Sequence, residues 1–176
     1  MPMSPAGAVP LRPAPPQDVR PLDSTDLAIL RVLGSDARVS NKELAERVGV
    51  AQSTCLARVR ALRETGVIRG YYADIDPRAL GHDLQAMIAI RLQPHARAAM
   101  GDLVTVLSGR HEVLDVYFVA GANDFLVHVA TASTDELRRF VADHLNRNPA
   151  IAGTETSLIF EHTRAAGRRG VLPEPS

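Results

Sequence analysis

The sequence is poor in several features that commonly define a function. It has a single cysteine, Cys55, which excludes a disulfide framework and a multi-cysteine zinc site and fits a reducing compartment. Its longest apolar run, Val116 to Ala120, falls far short of the roughly 18 residues of a membrane-spanning helix. No basic start followed by an apolar core opens the chain, so we expect no secretory signal and a cytoplasmic location. Charge of either sign is not in excess: Lys+Arg and Asp+Glu are both 20. A uniformly basic coat for nucleic acid or membrane is thereby excluded, although a local patch is not.

Enzyme signatures are missing too. The histidines at 82, 95, 111, 128, 144 and 162 stand apart in sequence, without a His-x-His or i, i+4 pair for a metal. There is no Gly-x-Ser-x-Gly, phosphate loop or dinucleotide fingerprint. Cys55 sits on the apolar stripe of a predicted helix, which suits packing better than nucleophilic attack. We expect no catalytic residues, no metal and no cofactor.

What is present is 176 residues, 45% hydrophobic and 23% charged, enough for one medium or two small domains. Seven of the twelve prolines lie in residues 1–21, which we read as a disordered arm. Residues 165–176 read as a flexible tail. Between them, charge is unevenly spread. Residues 47–70 carry five arginines against one glutamate, whereas residues 82–163 carry six arginines against ten acids. Such asymmetry suits a molecule in which one half meets a polyanion, though random scatter would also produce it.

Residues 22–70 read as three short helices. Asp23 or Ser24 caps the first, which carries Leu27, Leu30 and Leu33 and ends near Gly34. Ser40-Asn-Lys-Glu43 is a capping box opening the second, which Gly49 stops. The third runs from about Gln52 to Glu64, with Cys55, Leu56, Val59 and Leu62 read as one face. Two short helices around a glycine-containing turn make a helix-turn-helix. Gly66 to Asp74 looks strand-like, and 71–83 reads as a linker and hinge.

Residues 84–164 change texture. Leu84–Leu92, Val113–Ala120, Phe125–Ala130 and roughly Gly153–His162 read as strands. Ala96, Ala99, Met100, Leu103, Val104 and Leu107 have helical spacing. Ser133-Thr-Asp-Glu136 caps a second helix carrying Leu137, Phe140, Val141 and Leu145, which Pro149 ends. The order strand, helix, strand, strand, helix, strand is the ferredoxin-like βαββαβ arrangement, so the whole chain is of the α+β class. Two helices cover one face of such a sheet. The second strand nevertheless looks apolar on both sides, with Leu114, Val116 and Phe118 alternating with Val113, Tyr117 and Val119. We therefore expect the other face to meet a second copy of the chain. His128, mid-strand among apolar residues, reads as a buried, hydrogen-bonded side chain there.

A helix-turn-helix lays the start of its second helix in the DNA major groove. The candidates there are Gln52 and Arg58 for base edges, and Ser53 and Thr54 for phosphate. Arg60, Arg63, Arg69, Lys42 and Arg38 are candidates for phosphate contacts. Ala51 is a weak cap where Ser or Thr would serve better. The Gly121-Ala-Asn-Asp124 hairpin admits two readings, a purely conformational turn or a site where Asp124 meets an ammonium group.

The ordered motifs Leu22-Asp23-x-x-Asp26-x-x-Ile29-Leu30, Asp36-Ala-Arg38-x-Ser40, Glu43-Leu44-Ala45, Val48-Gly49-Val50 and Ser53-Thr-Cys55-Leu-x-Arg58-Val59-x-x-Leu62 resemble the DNA-binding domain of the leucine-responsive regulator/AsnC family. Gly66-Val-Ile-Arg-Gly-Tyr71 resembles the strand leading into that family's linker. Gly121-x-x-Asp124-Phe125 and Thr154-x-Thr156-x-Leu-Ile159 resemble its effector-sensing half. The resemblance covers about residues 22–164 and departs from the family at Ala51 and in the proline-rich arm. It implies a non-enzymatic transcription regulator that reads a pseudo-palindromic operator in double-stranded DNA and is nucleoid-associated when bound. It also implies homodimers that assemble into octamers, with an amino-acid effector held between dimers. Gly121, Asn123, Asp124, Thr154 and Thr156 would then lie near that effector. The rival is an amino-acid-binding oligomeric module acting through protein contacts without DNA, whose behaviour would lack the salt dependence of phosphate binding.

Overall fold

The computed structural model describes residues 21–163, with only the backbone at 97–99. The arm read over 1–21 and the tail over 165–176 fall outside that range, save Pro21, as does the side chain of Ala99. The chain divides into two compact units between Ala73 and Asp74, within the segment read as linker.

The first unit holds α1 (Ser24–Ser35), α2 (Asn41–Val48) and α3 (Gln52–Glu64). Asp23 caps α1 through a reciprocal box with Asp26. Ser40 caps α2 by accepting from the Glu43 N–H, but the box is one-sided: the Glu43 carboxylate turns to Arg47 one helical turn on. Gly49 ends α2 at φ +75°, a conformation costly for any residue with a Cβ. Its N–H and that of Val50 both donate to the Ala45 carbonyl. Ile29, Leu44, Ala45, Cys55 and Leu62 form a small core, flanked by Val39, Val48, Val50, Val59, Val67 and Ile68.

Two expectations need correcting here. Leu56 is 49% exposed and not part of the buried face of α3. The strand read over Gly66 to Asp74 is not formed, because no other strand of this unit lies among the described residues to complete its ladder.

The second unit is a four-stranded antiparallel sheet in the order β2-β3-β1-β4, from β1 (Leu84–Leu92), β2 (Val113–Phe118), β3 (Phe125–Thr131) and β4 (Ile151–Ile159). A 3-10 turn over Pro94–Ala99 leads into α4 (Met100–Ser108), and α5 (Thr134–Phe140) widens into a π-helical turn over Val141–Asn146. Ala86, Ile88, Ile90, Leu92, Phe125, Val127 and Val129 pack against Leu103, Leu107, Leu137, Phe140 and Leu145, so both helices lie on one face.

The other face is less apolar than the sequence suggested. The register of β2 slips between Val113 and Asp115, and Val113 and Val116 both stand opposite core residues, Val129 and Val127. Such a bulge breaks simple alternation. The open face consequently carries Asp115 and Tyr117 beside His128 and Leu126, with Gln85, Met87 and Ala89 from β1. His128 is 8% exposed, with Nε2 3.0 Å from Gln85 Oε1 and Nδ1 3.8 Å from Asp115.

Candidate functional site

In the first unit, α2 and α3 meet around the turn 49–51, and the Asn41 side-chain amide donates to the Gln52 carbonyl at 3.1 Å, tying the two helix starts together. Ala51 has the extended backbone of an N-cap but supplies no side-chain acceptor. Gln52, Ser53, Thr54, Arg60 and Arg63 are exposed along α3, and Lys42 and Arg38 are exposed on or beside α2. At 100° per residue, Ser53, Ala57, Arg60 and Glu64 share the outermost strip of α3. Leu56 and Arg63 lie on its flank. Arg60 and Arg63 also border a shallow groove with Ile68, Arg69 and Tyr71.

Arg58 departs from its expected place. Its Nη1 donates to Asp23 Oδ2 at 2.6 Å and to Asp26 Oδ1 at 3.0 Å, and Asp26 is fully buried. These bonds, to Asp23 first and then Asp26, raise the guanidinium pKa further above its already high value. Arg58 thus ties α3 to the capping box of α1, with its side chain 27% exposed. The spacing itself contained this signal. Cys55, Arg58, Val59 and Leu62 follow i, i+3, i+4, i+7, and an arginine in that stripe calls for buried carboxylates. Leu56 falls outside that stripe, and its position on the helix, not its hydrophobicity, sets its exposure.

In the second unit, the 121–124 hairpin sits at the end of the sheet where β1 finishes and β3 begins. Gly121 has φ +143°, where other residues are strained. The Asp124 N–H donates to Ile90 O at 2.9 Å, and Asp124 Oδ2 accepts from the Leu92 N–H at 2.8 Å. The carboxylate therefore anchors the hairpin to β1 whatever else it contacts. Thr154 pairs across from Ile90, and its hydroxyl lies 3.4 Å from Asn146 Oδ1. Thr156 pairs across from Ile88 one step further along. Asp124 and Thr154 lie on opposite sides of β1, roughly 10 Å apart at the usual strand spacing.

Cys55 is buried, and burial pushes its thiol pKa up, as expected for packing. The histidines are not all isolated in space, for His111 comes within reach of Glu112 and Glu136. No described helix is long and apolar enough to cross a membrane.

Comparison with known proteins gives matching results for both units. Residues 22–69 match the family described as winged helix-turn-helix DNA-binding, and residues 85–167 match the Lrp/AsnC ligand binding domain. The HTH-type transcriptional regulator AldR of Mycolicibacterium smegmatis is 53% identical over 156 residues, covering 88% of this chain and 91% of that protein. The crystal structure of MtbAldR superposes with a TM-score of 0.71 at 47% identity, over 82% of this chain and 99% of that one. A complex of the Neisseria meningitidis transcriptional regulator NMB0573 with L-Met gives a TM-score of 0.74 at 28% identity, over 82% and 94%.

Proposed function

The chain belongs to the Lrp/AsnC family of DNA-binding transcription regulators, which are not enzymes, and from that premise we propose that an amino acid bound near its 121–124 hairpin modulates its hold on an operator. The observation that carries the ligand class is the L-Met complex of a structural neighbour with the same fold. The exposed Gly121 and Ala122 leave backbone open to a ligand at the hairpin, and Thr154 and Thr156 lie toward the same end of the sheet.

DNA contact falls to the exposed strip of α3. Gln52 reads base edges, Ser53, Thr54, Arg60 and Arg63 hold phosphate or base edges, and Lys42, Arg38 and Arg69 hold flanking phosphates. Leu56 joins this set as an apolar contact for a thymine methyl group. Two such heads in a dimer match a pseudo-palindromic operator, and higher assemblies up to an octamer bring further pairs. The effector, held between dimers, must bind their alternative packings unequally to change the spacing of the heads.

The test is a gel shift on DNA upstream of the protein's own gene, with and without a panel of amino acids. We expect discrete, competitor-resistant shifts that one amino acid changes. Asp124→Asn keeps an acceptor for the Leu92 N–H but removes the charge an ammonium group needs. It should bind DNA normally and ignore the amino acid. Shifts indifferent to the whole panel would overturn the sensing role and leave the regulator. A lack of specific binding there and in genome-wide site selection would favour the protein-contact reading.

A further inference from the structure

At the end of the sheet opposite the 121–124 hairpin, β1 and β2 begin and β3 ends. Here the chain brings together three side chains that its sequence keeps apart. His111, Glu112 and Glu136 each offer a donor atom within 4.8 Å of the others. His111 and Glu112 come from the turn before β2, and Glu136 from the first turn of α5.

The arrangement is more than a cluster of surface acids. Glu112 is 9% exposed, and its Oε2 is buried without a hydrogen-bond partner among the described residues. His111 Nδ1 lies 3.3 Å away without making a hydrogen bond. A buried carboxylate oxygen left in this state is costly unless a cation meets it. Glu136 is already oriented as a ligand would be, since its Oε2 accepts from the Ala132 N–H at 2.7 Å and fixes the carboxylate while Oε1 remains for another contact. The His82 ring lies 6.4 Å from that of His111, and its Nδ1 is a second buried atom without a hydrogen-bond partner among the described residues. His111 is 73% exposed, so an ion can enter from solvent.

We propose that His111, Glu112 and Glu136 bind a divalent transition-metal ion, with His82 as a fourth ligand or as a holder of its water. One or two imidazoles with two carboxylates suit zinc or a neighbouring first-row ion better than calcium or magnesium, which prefer all-oxygen shells. Ligands about 2.1 Å from a tetrahedral ion stand about 3.4 Å apart, a small closure from the separations seen. Bound there, the ion ties the start of β2 to the start of α5 and neutralises the Glu112 carboxylate. The assignment is independent of the amino-acid site, from which it is separated by the length of the sheet, about 20 Å.

The test uses the untagged full-length chain, titrated with zinc(II) by calorimetry and with cobalt(II) as an absorbing surrogate. The expected result is saturable uptake of one ion per chain, visible tetrahedral cobalt bands and a melting temperature that rises with zinc. His111→Ala and Glu136→Gln should each weaken uptake about tenfold or more and remove the thermal shift. His111→Ala leaves a fold-neutral probe because that side chain is exposed, whereas Glu112→Gln alters a buried group. An absence of saturable uptake would overturn the site and leave His111 as the ion-pair partner of Glu112. Uptake undiminished in the His111→Ala/Glu136→Gln double variant would overturn it equally, by placing the metal elsewhere.

Discussion

Arg58 and Arg60 are two residues apart on one helix and do different work. Arg58 is held by Asp23 and Asp26, and Arg60 is exposed to solvent. Removing Arg58 leaves the Asp26 carboxylate buried without that cation, and removing Arg60 strands no ion-pair partner among the described residues. Arg58→Ala should therefore lower the melting temperature by several degrees. Combined with Asp26→Ala it should cost less than the sum of the two single changes, and a double-mutant cycle by thermal denaturation checks this. Arg60→Ala should leave the melting temperature alone, weaken DNA binding and flatten its salt dependence by about one unit of slope. Cys55 belongs to the same scale. It is fully buried and its thiol is held protonated by burial, so alkylation at pH 8 should be slow in the native chain and fast once denaturant opens the helices.

The helix-turn-helix elements show which local rules the chain obeys and which it leaves unmet. Asp23 and Ser40 cap α1 and α2, whereas α3 begins at Ala51 with the right backbone and no acceptor. Ala51→Ser should supply the missing bond and add about 1 kcal/mol, raising the melting temperature of a unit this small by roughly 4–8 °C. Gly49→Ala should have the opposite effect. A Cβ at Gly49 would meet nothing within 4 Å, so the cost is purely that of φ +75°, about 1–2 kcal/mol. Chemical denaturation of both variants separates these conformational effects from DNA affinity, which an Ala51→Ser change also touches by placing a hydroxyl at the start of the recognition helix.

The whole molecule pairs a basic helical unit with an acidic sheet unit whose second face carries no helix among the described residues. That face is mixed, with Leu126, Met87 and Ala89 around a polar set of Gln85, His128 and Asp115. A face of this kind suits a symmetric partner that completes both its apolar and its polar contacts. Light scattering should find the parent chain as a dimer or a multiple of one, and Leu126→Arg in the central β3 should lower that mass. An unchanged mass in the variant would move the interface elsewhere.

Helix positions, caps, the βαββαβ order and the family were legible from local signals, because spacing and capping act within a few residues of chain. The full span of β1 and the start of α3 at Gln52 follow from such local signals. The strand over Gly66 to Asp74, the bulge in β2, the inward turn of Arg58 and the meeting of His111 with Glu136 were not. Each depends on a partner brought in from a distance or on a register set by a neighbouring strand. Arg58 needs carboxylates 32 and 35 residues earlier, and Glu112 finds its orphaned burial only once Val113 pairs with Val129. Sequence alone determined the helices and the βαββαβ order, since those free energies are local, but not the fate of the segment Gly66 to Asp74, whose ladder needs a distant partner. Only the tertiary structure decided which charged side chains face inward, because the cost of burying a charge depends on what the rest of the chain places beside it.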